Sequence, residues 1–140
     1  MNVNNYYFVE NHKEVVFKNG TVDFEPYKKK IKIQDIRNIL KESKLEETQR
    51  FNDWFSFRND ILELDVVLKS EDNLIDQGLK GADLKESLTD VEIISFKFLD
   101  GISIESKEYE FLNRICDNFN LNIYDPRSEQ YYSDASLLER

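Results

Sequence analysis

The clearest pattern along the chain lies in residues 91–126, where a hydrophobic period of two gives way to a period near 3.6 and then returns. Val91-Glu92-Ile93-Ile94-Ser95-Phe96-Lys97-Phe98-Leu99 is rich in β-branched and aromatic residues and predicts a strand, which Asp100-Gly101 closes as a turn. Alternation puts Ile94, Phe96 and Phe98 on the expected core face and Ile93, Ser95 and Lys97 on the other. Ser106 then suits an N-cap, Glu108 and Glu110 suit the positive end of a helix dipole, and a helix is predicted from about Lys107. Within it Leu112, Ile115, Cys116 and Phe119 recur at i, i+3, i+4 and i+7, a stripe wide enough to lie on Ile94, Phe96 and Phe98. Asn118 and Asn120 tolerate left-handed geometry and end the helix; Leu121-Asn122-Ile123-Tyr124 then resumes a strand pattern that Pro126 stops. Strand, helix and strand form a crossover, so residues 121–124 are expected to run parallel to 91–99 in one sheet without having to be neighbours.

Upstream, Tyr6-Tyr7-Phe8-Val9 reads as a first strand, and Glu14-Val15-Val16-Phe17 pairs with Thr21-Val22-Asp23-Phe24 as a hairpin across Asn19-Gly20. Pro26 ends the hairpin, and Ile31-Lys32-Ile33 leads into a helix carrying Ile36, Ile39 and Leu40, with Asp35 in its first turn. Continuing its stripe would bury Ser43 and Glu47, so this helix is expected to break near Ser43, with a second turn starting around Leu45. Phe51, Trp54, Phe55 and Phe57 crowd together next and are expected chiefly as core. Ile61-Leu62-Glu63-Leu64-Asp65-Val66-Val67-Leu68 alternates, with Leu62, Leu64, Val66 and Leu68 facing the core and Glu63 and Asp65 facing outward. Pairing it antiparallel with 91–99 sets Lys97 opposite one of those acids, a contact worth a few tenths of a kcal/mol to about 1. Residues 70–90 carry no pattern beyond a short helical turn over 82–88, with Gly78 and Gly81 as bends.

Two strand–helix–strand halves with antiparallel middle strands make the expected fold class α+β: a single-domain ferredoxin-like (split βαβ) sheet over 1–140 with two helices on one face and an extra N-terminal hairpin. The stretch 127–140, with Tyr131 and Tyr132, is expected either to pack back onto the sheet or to stay mobile as a tail.

Composition supports a globule of that size. A chain of 140 residues, 40% apolar and 13% aromatic, buries about two thirds of the surface its unfolded state exposes, and four glycines with two prolines argue against linkers. Apolar runs are too short to cross a bilayer, and Met1-Asn2-Val3-Asn4-Asn5 has neither the basic nor the apolar region of a signal peptide; the expectation is a cytoplasmic chain. A single cysteine, Cys116, excludes an internal disulfide. Charge changes the picture more. The net charge is −9, and between residues 60 and 92 ten acids (Asp60, Glu63, Asp65, Glu71, Asp72, Asp76, Asp83, Glu86, Asp90, Glu92) face three lysines (Lys69, Lys80, Lys85). Such a segment repels nucleic acid and anionic membrane and steers a basic protein partner toward it. The basic run Lys28-Lys29-Lys30 with Lys32 is too short to reverse this.

Candidate chemistry is sparse. His12, the only histidine, reads as an exposed turn residue with no metal partner nearby, and Cys116 reads as core. Glu63 and Asp65 stand two apart on one strand face, a spacing carboxylate catalysis uses and any solvated strand also shows. Asp72, Asp76 and Asp83 miss the spacing of a calcium loop, and the chain contains neither a phosphate-binding glycine loop nor a Gly-x-Ser-x-Gly elbow. No enzyme, metal or cofactor is expected. The residues expected to bind a partner are the acids Glu63, Asp65, Glu71, Asp72 and Asp76 with the aromatics Trp54 and Phe55, charged rim and apolar anchors of a protein-binding site. Two alternatives use the outward sheet face, with Ile61, Val67, Ile93 and Lys97: a small-molecule sensor or regulatory domain, or a self-associating structural subunit.

Leu121-Asn122-Ile123-Tyr124-Asp125-Pro126-Arg127, following Phe111-Leu112-Asn113-Arg114-Ile115-Cys116, resembles the ending of small bacterial proteins that close on Tyr-Asp-Pro-Gln; Arg127 stands where glutamine is usual. The likeness covers the last third of the chain. It is similar in this respect to acidic single-domain immunity proteins, which implies a binder that occludes a cognate basic toxin. On its own residues, Tyr124-Asp125-Pro126 reads as a turn in which Asp125 bonds the backbone beyond the proline.

Overall fold

The computed structural model describes residues 6–10, 16–18, 21–23, 27–99 and 106–138. Among the described residues nine strands and four α-helices follow one another as β1 (Tyr7–Glu10), β2 (Val16–Lys18), β3 (Thr21–Asp23), α1 (Ile33–Ile39), β4 (Glu46–Phe51), β5 (Trp54–Arg58), β6 (Leu62–Leu68), α2 (Glu71–Asp76), α3 (Gly81–Ser87), β7 (Val91–Phe98), α4 (Lys107–Phe119), β8 (Asn122–Asp125) and β9 (Gln130–Tyr132). Seven strands form one sheet in the order β4-β5-β6-β7-β1-β8-β9, antiparallel at every pairing, and β2-β3 form a separate hairpin. This is a mixed α+β architecture, with more strands than the four of a split βαβ sheet.

The period-two reading holds over residues 62–67 and 93–98; between Val67 and Leu68 the register slips, and Leu68 pairs Val91, which is buried as well. Leu64 lies opposite Phe96 and Val66 opposite Ile94, while Glu63 lies opposite Lys97. Leu62, Leu64, Val66, Ile94 and Phe96 are fully buried against Ile33, Ile36 and Ile39 of α1 and Leu112, Ile115 and Cys116 of α4, so both helices cover one face of the sheet. β8 runs parallel to β7 with β1 between them, since β1 is antiparallel to both. Helix α4 begins at Lys107 behind Ser106 and ends at Asn120, which takes the left-handed conformation at φ 54° and ψ 50°.

Residues 31–33 are fastened to the start of β7. Val91 N–H donates to Ile31 C=O at 2.7 Å and Ile33 N–H to Thr89 C=O at 3.1 Å. Between these bonds Lys32 Nζ lies 2.5 Å from Asp90, a carboxylate only 2% exposed. Two of the four lysines in the basic run, Lys30 and Lys32, thus face Asp90. The Tyr27 hydroxyl donates to Val9 C=O and accepts from Ile94 N–H at 3.1 Å, stitching β1 to β7.

Two expectations change, and one left open is met by its packed alternative. The second helical turn near Leu45 is instead the edge strand β4: Ser43 caps the preceding turn, its Oγ donating to Leu40 C=O at 2.6 Å, and leaves with extended backbone at ψ 165°. The unpatterned stretch 70–90 contains α2 as well as α3; Ser70 Oγ caps α2 by accepting from Asn73 N–H at 3.2 Å. Gly78 and Gly81, at φ 89° and 60°, make the bend between the two helices. After Arg127 the chain packs back: β9 joins the sheet, and Ala135 and Leu138 are buried in the common core. The proposed turns at Asn19-Gly20 and Asp100-Gly101, the hairpin ends Glu14, Val15 and Phe24, and His12 lie outside the described residues.

Candidate functional site

Alternation along β5, β6 and β7 carries Trp54, Ser56, Arg58, Glu63, Asp65, Ser95 and Lys97 to the sheet face away from the helices. Glu63 and Asp65 point outward as their spacing predicts, but they are buried, at 7% and 3% exposure, and not solvated. Asp65 Oδ1 accepts from Trp54 Nε1 at 3.1 Å and from the Ser56 hydroxyl. Glu63 sits among three cations, with Arg50, Arg58 and Lys97 each at 3.7–3.8 Å. A carboxylate leaves water only when donors or cations replace the lost hydration, and each acid has them.

The aromatic cluster divides across the sheet. Phe57 is core, and Phe55 lies on the helix face under the Arg37 guanidinium, 5.3 Å from the ring centre. Phe51, at 65% exposure the most exposed aromatic side chain among the described residues, stacks on Trp54 with ring centres 5.6 Å apart. The indole it rests on is fixed by its bond to Asp65, so the pair is a rigid apolar step at the sheet's end.

Beside that step is an open groove of about 880 Å³, lined by Arg50, Phe51, Asn52, Asp53, Lys69, Ser70, Glu71, Asp72 and Leu88. Leu68 N–H donates to Asp53 C=O at 2.6 Å, holding the β4–β5 turn against the start of α2, and so bringing Phe51 near Glu71 and Asp72. Glu92 faces Lys69 and Asp53 at the margin; burial pushes its carboxyl above the usual range, Asp53 adds to the shift and Lys69 opposes it. Of the residues expected to bind a partner, Glu71 and Asp72 line the groove and Trp54 supports its rim. Asp76 is exposed at the far end of α2, and Glu63, Asp65 and Phe55 lie elsewhere. Phe51, which the sequence grouped with core aromatics, becomes the exposed member because it ends an edge strand.

On the alternative ligand face Val67 and Ile93 lie opposite one another and are half-buried. Ile61 packs toward the core, and Lys97 is taken up by Glu63 and by the Tyr6 ring, 5.0 Å from its centre. Cys116 is buried, its thiol pushed up to about 12 by burial and then by Asp117. Among the described residues no group of three or more His, Cys, Asp and Glu side chains is placed to hold a metal, and no helix is long and apolar enough to cross a membrane. Asp125 makes the turn its sequence suggests: Arg127 N–H donates to Oδ1 at 3.0 Å and the Ser128 hydroxyl to Oδ2 at 3.2 Å. The Arg127 guanidinium donates both to Asp125 Oδ1, at 3.3 Å, and to the hydroxyl of Tyr7, at 2.5 Å, tying the β8–β9 turn to β1. No protein-family model, curated protein or solved structure matches this chain.

Proposed function

We propose that this chain is a non-enzymatic protein-binding domain of the immunity type, which occludes a basic partner, a toxin by the likeness of its ending, through the groove beside Phe51. The observation that carries this reading is the exposed Phe51 ring, held on a fixed Trp54 and flanked by Glu71 and Asp72. An aromatic anchor inside a charged rim is the common makeup of a binding hot spot. Burying it against a partner contributes through apolar area, while exposed acids accelerate encounter with a cation-rich surface.

The acidic contribution comes from fewer residues than the composition suggests. Glu63, Asp65 and Asp90 are buried, so seven acids and three lysines between residues 60 and 92 remain to meet a partner. Capture from a lysate of source cells at low and high salt, with wild type and Phe51→Ala side by side, tests the proposal. The expected result is one basic protein held by wild type, released at high salt, and bound at least about tenfold more weakly by Phe51→Ala, the loss expected of a hot-spot aromatic. With that partner in hand, Glu71→Gln/Asp72→Asn/Asp76→Asn should slow association and flatten its salt dependence. Equal capture by wild type and Phe51→Ala would remove the groove from the account.

We infer a ferredoxin-like core within the sheet. The strands β8-β1-β7-β6, read with α1 and α4, follow the strand order of a ferredoxin-like unit, with β4-β5 added at one side and β9 at the other; the antiparallel order and the two helices on one face support that reading.

A further inference from the structure

The seven-stranded sheet has two outer strands, and they differ. β9 is three residues long, whereas β4 spans six, every one exposed, and among the described residues it pairs only with β5. An open strand edge presents backbone donors and acceptors that a further strand can satisfy. The side chains along β4 specify which strand fits. Two copies related by a two-fold axis normal to the sheet meet antiparallel, with each sheet face continuing into the same face of the other copy. Opposed residues must then share a face, so the axis passes through a residue.

Only one such centre matches charges. On Thr48 it sets Glu46 opposite Arg50 of the second copy, Glu47 opposite Gln49 and Thr48 opposite Thr48, with each unlike pair occurring twice. A centre on Glu47 would oppose that acid to itself and Lys44 to Arg50; a centre on Gln49 would oppose Glu47 to Phe51. The face assignment agrees with the structure. Glu46 lies opposite Arg58, whose guanidinium approaches Glu63 at 3.7 Å, and Arg50 reaches the same face, donating to Ser56 Oγ at 3.3 Å. The break in register between Gln49 and Phe51 falls at Arg50, so the regular edge runs from Glu46 to Gln49 and Arg50 stands where it ends, which limits pairing to the stretch about Thr48.

We propose that β4 is a self-recognition edge, on which a second copy of this chain docks antiparallel about Thr48 to continue the sheet across the interface. The edge borders the groove at Arg50, but Glu71 and Asp72 lie off it, so Glu71→Gln/Asp72→Asn should leave the self-association untouched.

Sedimentation equilibrium of the full chain from micromolar to about 1 mM tests it. Mass should rise from the 16.7 kDa monomer toward twice that value. Arg50→Glu should weaken association at least tenfold, and Glu46→Arg/Arg50→Glu should restore it because the exchanged charges again oppose one another. Thr48→Cys should form a disulfide-linked dimer under mild oxidation faster than Glu46→Cys, the native Cys116 being buried. A monomeric mass throughout would overturn the proposal, as would an Arg50→Glu dimer of unchanged strength or equal cross-linking at Thr48 and Glu46.

Discussion

Glu63, Asp65 and Asp90 show how one residue type takes opposite roles within a single acidic segment. Each is buried because its neighbours supply what water would: three cations for Glu63, an indole and a hydroxyl for Asp65, and lysine ammonium groups for Asp90. Glu92, exposed at the start of β7, has only Lys69 to set against partial burial and Asp53, and its carboxyl is raised. A folded-state carboxyl above its unfolded value holds its proton more tightly in the native protein. Ionising it therefore costs stability as pH rises through the ordinary carboxylate range and past the raised value. Glu92→Gln should accordingly melt at a higher temperature than wild type at neutral pH, with the gap closing at about pH 3, where the wild-type side chain is also neutral. Calorimetry at both pH values checks this; a lower melting temperature for the variant at neutral pH would mean that the attraction of Lys69 outweighs burial and Asp53.

At the scale of elements, Asn120 ends α4 in a left-handed conformation that costs most residues about 1 kcal/mol. Asn120→Ala should lose roughly that amount in urea unfolding, and Asn120→Gly almost none of it; equal losses would place the effect in side-chain bonding instead. This helix and the strands on either side of it were legible because each buries one side against the same core, so periodicity records their geometry. β4 was not legible: Glu46, Glu47, Thr48, Gln49 and Arg50 are all exposed on an edge, and no alternation distinguishes their two faces. α2 was obscured by its brevity, with Leu74 its one buried residue. The groove was half legible. Glu71, Asp72 and Trp54 stood out by charge and type, but Phe51 could be separated from Phe57 only once β4 and β5 were known to form a hairpin at the sheet's margin. The burial of Glu63 and Asp65 on the outer face depends on Arg50, Arg58, Trp54 and Ser56, all from other strands, and strand periodicity carries no information about those partners.

At the scale of the whole molecule, one hydrophobic cluster runs from Tyr7 to Leu138, so the far end of the chain is part of the same cooperative unit as its beginning. Leu138→Ala should lower global stability by about 2–5 kcal/mol, the usual range for a buried leucine. Trp54, on β5 near the opposite margin of the sheet, is the appropriate reporter. Its fluorescence transition in urea should shift to lower denaturant with an unchanged slope, and an unmoved transition would divide the chain into separately melting parts.

The position of β1 also sets an order of assembly. It is the earliest strand to be synthesised, yet it lies inside the sheet between β7 and β8, the latter made of residues 122–125. The meander β4-β5-β6 and its partner β7 can pair soon after they emerge, each closing a modest loop, whereas β1 must span most of the chain to meet its two neighbours. β1 can therefore gain its β7 neighbour only once residues 91–98 are made and its β8 neighbour only once residues 122–125 follow, so among the described strands the first to be made is among the last to have both edges covered.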